Sequence, residues 1–222
     1  YEVMHKILQT YGWRENPFTF KILPEQFVGY EREVELTIQD MQNGGKLALL
    51  LGPTGSGKTT FLKYLTLKFN GDSRVLYLPK PPKDPEDWVR VFEPLIKPRF
   101  SFLSRKKISL YSLPDVLNKK LNDKKLFLLV DECHEASIES LEWLRVIIDQ
   151  VDNLSAVLAG LPVFEGMLKN KLETFIKRVS RSILLSNLSR AETRELIKRR
   201  IESVGGDDIK PFTSNAVELI YS

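Results

Sequence analysis

The chain of 222 residues carries 33 Lys and Arg against 29 Asp and Glu, a formal net charge of +4, and 42% of its residues are hydrophobic. That is enough for one full core without disulfides or metals, in one large domain or one domain with a small appendage; the single cysteine, Cys133, excludes an internal disulfide and points to a reducing, cytoplasmic setting. No transmembrane run or signal peptide is visible, and the modest basic excess permits an acidic partner without specifying one.

Tyr11-Gly-Trp-Arg-Glu-Asn-Pro-Phe18 is aromatic and turn-rich, too irregular for a helix interior. Pro17 and Pro24 keep the following stretch extended. Residues 27–34 lead into a helix predicted to run through about Met41, and Asn43-Gly-Gly45 ends it. Phe27 and Val28 either fold over an adenine and ribose or pack the amino-terminal segment, and their spacing leaves both readings open.

Leu47 to Leu51 is an apolar run too short for a bilayer and suited to one fully buried strand. The spacing G-x-x-x-x-G-K-T follows in Gly52, Pro53, Thr54, Gly55, Ser56, Gly57, Lys58 and Thr59, and Thr60 begins a helix predicted to reach Phe69. Glycines let backbone N–H groups curl around a phosphate with no Cβ in the way. Lys58 would reach the β- and γ-phosphates, Thr59 Oγ1 would ligate Mg²⁺, and the helix N-terminus favours negative charge. Strand, loop and helix together point to binding of a nucleoside triphosphate, where a bare Gly-rich turn with a surface lysine would not need the flanks.

Arg74 to Leu78 reads as a second strand, Asp87 to Ile96 as a helix that Pro98 breaks, and Leu113 to Leu121 as a shorter helix. From Leu95 to Lys125 nine Lys or Arg face two Asp, with the densest run at Arg105-Lys-Lys107. This stretch is either a solvated face or a DNA-contact surface. Leu126 to Glu132 is a third strand, and Glu139 to Val151 is an amphipathic helix with Leu141, Leu144, Ile147 and Ile148 on one side. Leu154 to Gly160 is a fourth strand, Pro162 to about Leu168 a short helix, and Arg181 to Leu185 a fifth strand. Strands alternating with helices predict an α/β fold with a five-stranded parallel sheet covered by helices. Ser189-Arg-Ala-Glu192 has capping-box spacing for a helix to about Val204, which Gly205 and Gly206 stop. Thr213 or Ser214 caps a last helix. The expected division is a nucleotide-binding domain over residues 1–187 and the start of a partial helical lid over residues 188–222. No internal repeat is present.

Asp131 and Glu132, at the end of a buried strand, supply the second half of an ATPase site. Asp131 would hold Mg²⁺ through its water shell, and Glu132 would orient and polarise the attacking water, since phosphoryl transfer depends on positioning. Cys133 and His134 lack partners for a zinc site, because the other histidine is His5; they read as residues that pack or support the site. Lys177, Arg178 and Arg181 are either surface charges or contain an arginine that reaches a neighbouring subunit's nucleotide.

These residues resemble AAA+ ATPases of the P-loop NTPase class. Tyr11 to Phe18 resembles the opening of the secretion- and transposition-associated members, and Phe27-Val-Gly-Tyr-Glu-Arg-Glu33 is similar to the adenine-side segment of the archaeal and eukaryotic origin-recognition initiators, with Tyr30 where that family has Arg. Val157-Leu-Ala-Gly-Leu-Pro162 resembles the sensor-one strand, with Leu161 where a polar sensor is expected; Ser155 lies early in that strand. Lys177-Arg-Val-Ser-Arg181 resembles the arginine-finger region, with Arg178 and Arg181 both eligible, and residues 189–206 are similar to the start of the family's lid. In such proteins the second sensor arginine and any winged-helix domain would follow Ser222.

The resemblance implies ATP and Mg²⁺ as cofactors, nucleotide bound between subunits of a homo-oligomeric ring, arc or filament, and a DNA or protein partner. The expected function is ATP binding and hydrolysis, with Glu132, Lys58 and a finger at Arg178 or Arg181 as catalytic groups, in a loader, recruiter or remodeller acting on DNA. One alternative is a nucleotide-gated signalling or scaffold switch with little turnover, which Leu161 makes credible. Another is a helicase fragment, because Asp131-Glu-Cys-His134 reads D-E-C-H; that fold requires two tandem sheet domains, and residues 158–162 lack its Ser-Ala-Thr motif.

Overall fold

The computed structural model describes residues 2–19, 21, 23–69, 73–96 and 108–221. In chain order the helices among them are α1 (Glu2–Tyr11), α2 (Glu31–Gln42), α3 (Lys58–Lys68), α4 (Asp87–Ile96), α5 (Leu113–Leu121), α6 (Ile138–Gln150), α7 (Val163–Lys171), α8 (Glu173–Ile176), α9 (Arg190–Ser203) and α10 (Ser214–Tyr221). The strands are β1 (Leu47–Leu51), β2 (Arg74–Leu78), β3 (Leu126–Val130), β4 (Leu154–Gly160) and β5 (Val179–Leu184). No helix among the described residues is long and apolar enough to cross a membrane.

The chain forms two compact units, one of residues 33–185 and one of residues 1–32 with 186–222. The larger holds a sheet of five parallel strands in the order β2-β3-β4-β1-β5, as the alternation of strands and helices predicts. β1, β3 and β4 are buried at every position, so their side chains need no polar alternation. Edge strand β5 alternates instead, with Ile183 buried and Leu184 exposed. Leu49 pairs with Leu158 on one side and Ser182 on the other, and Leu128 pairs with Leu76 and Ala156.

Successive strand residues point to opposite faces. Leu47, Leu49, Leu126, Leu128 and Val130 join a core with Trp88 and Phe92 of α4, Leu117 of α5 and Leu144 of α6. Trp88 Nε1 donates to Ser140 O at 2.9 Å and lies 3.0 Å from Ser140 Oγ, so the indole is buried with its polar atom satisfied. The intervening Phe127 stacks on Phe69, just past α3, with ring centroids 3.8 Å apart.

Several boundaries differ from the sequence expectation. β3 stops at Val130, two residues before the expected end at Glu132. Asp131 N still donates to Leu78 O at 2.8 Å, and Glu132 then turns into the left-handed region at φ 54°. α3 begins at Lys58, ahead of Thr60. α7 runs to Lys171 and is followed by the separate turn of α8. β5 starts two residues earlier than expected, at Val179, and ends at Leu184. Pro98 and the run Arg105-Lys-Lys107 lie outside the described residues.

In the smaller unit, Trp13, Ile197, Ile201, Val204, Ile209 and Val217 form a core, with Ile7, Leu8 and Phe212 packed on it. This explains why residues 1–32 group with the chain from 186 onward: α9 and α10 are too short to bury an apolar core alone, and the amino-terminal segment supplies the missing side. α1 had no signal strong enough to predict it, because its apolar residues are satisfied by α9 and α10, remote in sequence. The capping box is present, with Glu192 N donating to Ser189 Oγ at 3.3 Å and Ser189 N to Glu192 Oε2 at 2.7 Å. Thr213, not Ser214, caps α10, its Oγ1 accepting from Ala216 N at 3.1 Å.

Removing the buried side chain in Leu128→Ala is expected to cost about 2–5 kcal/mol in urea unfolding, whereas Ser189→Ala, which removes one cap, costs about 1 kcal/mol. Equal losses in the two variants would contradict this division between core packing and capping.

Candidate functional site

The carboxyl ends of β3, β4 and β1 lie side by side in that order, and ligands of open α/β sheets bind at such ends. After β1 the chain turns at Gly52. A Cβ there would fall 2.4 Å from Ser56 Oγ and 3.1 Å from Leu185 Cβ, so only glycine fits. Gly57 adopts φ 93° at the entry to α3, a left-handed conformation that turns the loop into the helix.

Lys58 is buried and donates its ammonium to Gly52 O at 2.8 Å and Pro53 O at 2.9 Å. The loop thus holds its own cation on the carbonyls of its first two residues. Thr59 Oγ1 donates to Asp131 Oδ2 at 2.5 Å, and Glu132 N donates to Asp131 Oδ1 at 2.9 Å. A threonine hydroxyl and a carboxylate already drawn together form a hard-oxygen donor set, and that chemistry fits Mg²⁺. Ser56 Oγ is buried without a hydrogen-bond partner among the described residues, a polar atom the loop leaves available.

A cleft of about 410 Å³ collects Thr54, Gly55, Gly57, Lys58, Thr59, Thr60, Glu132, His134 and Leu161. Residues from the phosphate loop and from the Asp131–Glu132 turn are therefore brought to one place. Phe27 and Val28 are buried in the smaller unit, where the Phe27 ring lies 6.3 Å from that of Tyr30.

Tyr77 has no signal in the sequence, and the contacts of His134 and Ser155 are settled by neighbouring strands. Tyr77, at the end of β2, has its hydroxyl pKa raised by burial first and then by the charges of Asp131 and Glu132. His134 contacts Glu132 and the backbone of Leu161. Ser155 donates to Gly45 O at 2.7 Å and serves the strand rather than the cleft. Each contact is set by strand order, which local spacing does not reveal.

Neither arginine candidate lines the cleft. Arg178 Nε donates to both carboxylate oxygens of Asp149 at 2.7 Å, and its Nη1 donates to Thr174 O at 2.5 Å. Arg181 Nε is buried with no hydrogen-bond partner among the described residues. In the basic stretch, Lys119, Lys120 and Lys124 are exposed. Lys125 instead donates to Met41 O at 3.1 Å and Gln42 O at 3.0 Å, capping the end of α2.

The model of a family described as an AAA domain matches residues 41–168, more than half of the chain. Among curated proteins the chain is similar to the general secretion pathway protein A of Aeromonas hydrophila, 26% identical over 227 residues, covering 96% of this chain and 40% of that protein. Among solved structures it is similar to the ORC2 protein of Aeropyrum pernix in its ADPNP–ADP complexes, at a TM-score of 0.69 and 17% identity, covering 92% of this chain and 59% of that one. It is also similar to CDC6P from Pyrobaculum aerophilum, at a TM-score of 0.68 and 18% identity, covering 92% of this chain and 57% of that one. These structural likenesses are likenesses of fold, and the chain spans under two thirds of each relative's length.

Burial, and then the charge of Asp131, push the Cys133 thiol well above its ordinary value of 9.0. The folded chain therefore favours the protonated thiol, and stability declines as pH rises past about 9, where the unfolded thiol ionises first. At pH 8 the native chain is expected to resist a disulfide reagent that titrates Cys133 at once in denaturant; rapid stoichiometric reaction of the native chain would contradict this.

Proposed function

The chain belongs to the AAA domain family, and on that premise we propose that it binds ATP and hydrolyses it to ADP and phosphate. The observation that carries the proposal is the joining of Thr59 to Asp131 beside Lys58 and Glu132. Lys58 and the loop N–H groups hold the β- and γ-phosphates. Thr59 and, through its water shell, Asp131 would hold Mg²⁺, which when bound neutralises charge on those phosphates. Glu132 accepts a hydrogen bond from the attacking water. The water oxygen bonds to the γ-phosphorus as that atom's bond to the bridging oxygen of ADP breaks.

We further propose that the chain works in a homo-oligomer, with Arg181 completing a neighbour's site. Arg178 is already engaged by Asp149 and Thr174, whereas Arg181 is not held in this way. DNA is the proposed partner, with contacts through Lys119, Lys120 and Lys124 and through the basic residues outside the described set. Similarity to a protein named for a secretion pathway keeps a protein partner alongside DNA. The lone thiol, Cys133, fits a cytoplasmic setting.

A second reading, a nucleotide-gated switch with little turnover, draws on the apolar Leu161 at the edge of the cleft. One experiment separates the two. ATP binding, turnover and mass in solution are measured for wild type, Lys58→Ala and Glu132→Gln, with and without DNA. Lys58→Ala is expected to lose ATP binding. Glu132→Gln should retain ATP, lose turnover by on the order of 10²-fold or more and accumulate the larger assembly. DNA should raise wild-type turnover at low salt, and the rise should fade between about 50 and about 200 mM salt. Tight ATP binding with no turnover in wild type would favour the switch, and indifference to DNA at low salt would remove DNA from the proposal.

A further inference from the structure

We propose that His134 is a positioning residue for Glu132, a role that rests on the hydrolytic reading above. It links the carboxylate to the end of β4, where a polar side chain was expected at position 161 and Leu161 stands.

The argument begins with the two ring nitrogens. Leu161 N lies 3.3 Å from His134 Nδ1, and the Nε2 atom lies 3.3 Å from Glu132 Oε2. A backbone N–H can only donate, so Nδ1 is the acceptor and carries no proton. The imidazole's proton is then on Nε2, the nitrogen that lies 3.3 Å from the Glu132 carboxylate. With Nδ1 committed to the Leu161 N–H, the ring has one tautomer, and its N–H is left on the side of Glu132.

Two features of the backbone make this possible. Glu132 sits at φ 54°, and its N–H is fixed on Asp131 Oδ1 at 2.9 Å. Its backbone is thereby set, and the aim of its carboxylate is left to the side chain, which is 38% exposed where that of His134 is 18% exposed. At the end of β4, a Cβ on Gly160 would meet His134 N and Phe164 Cβ at 3.3 Å each. The bare glycine lets the turn carrying His134 lie directly against the strand. Leu161 therefore contributes through its N–H, which any residue but proline would supply, and the polar group beside Glu132 comes from His134.

The test compares wild type, His134→Ala, His134→Gln, Glu132→Gln and the double variant Glu132→Gln/His134→Ala. Each is measured for ATP affinity and for kcat. Misplacing a catalytic group by about 1 Å costs on the order of 10²-fold, so His134→Ala should keep ATP affinity within about twofold while kcat falls roughly 10- to 100-fold. His134→Gln presents a donor and an acceptor at a similar separation and should recover most of that loss. The double variant should be no slower than Glu132→Gln alone, because the histidine acts through the glutamate.

A second readout is independent of turnover: nitrogen-15 spectra of the wild-type imidazole should report the proton on Nε2. A proton on Nδ1, wild-type kcat in His134→Ala, or a glutamine variant as slow as the alanine one would each overturn the proposal. A wild type that binds ATP without hydrolysing it would overturn the hydrolytic reading instead, and the tautomer would then decide the geometric claim alone.

Discussion

The hydrogen bond from Thr59 Oγ1 to Asp131 Oδ2 joins two segments that the sheet keeps two strands apart. Thr59 opens α3, directly after the loop that leaves β1. Asp131 follows β3, and β4 lies between them. The contact therefore requires the order β3-β4-β1, and that order requires three adjacent strands buried on both faces. A core of Leu, Val and Phe side chains above and below the sheet is thus the precondition for aligning a hydroxyl with a carboxylate. The function proposed for the cleft depends on this alignment more than on any one residue, because phosphoryl transfer is governed by position and electrostatics.

The same strand order explains what was legible in the sequence. Buried parallel strands are written as largely apolar runs, so Leu47–Leu51, and Leu154–Gly160 with its single Ser155, could be bounded from composition alone. The phosphate loop was legible because its glycines and lysine are dictated by local backbone geometry. The carboxylates at residues 131 and 132 were legible because they terminate an apolar run. What could not be read were contacts made through a third element. His134 reads equally as a packing or a supporting residue until β4 is seen beside it, and Lys125 looks like part of a basic surface until α2 presents its carbonyls. Arg178 and Arg181 are equivalent in spacing and become different only when Asp149 on α6 is brought to one of them.

The smaller unit follows a different rule. Its α9 was announced by a capping box and its glycine stop, both local signals. Its core was not, because Trp13 and the isoleucines of α9 are separated by most of the chain and carry no periodic pattern in common. A pair of helices that cannot bury its own apolar face finds that surface in the amino-terminal segment. Division of the chain by sequence position alone misses such a pairing, however well each helix is bounded.

The central claim is that Thr59 and Asp131 act as one unit in ATP hydrolysis. The most direct measurement is a double-mutant cycle on Mg²⁺-dependent turnover, using Thr59→Val, Asp131→Asn and the pair together. Groups that act as a unit are strongly non-additive, so each single change should remove most of the turnover and the double change should remove little more. Losses that multiply independently, or turnover that survives either single change, would contradict the account.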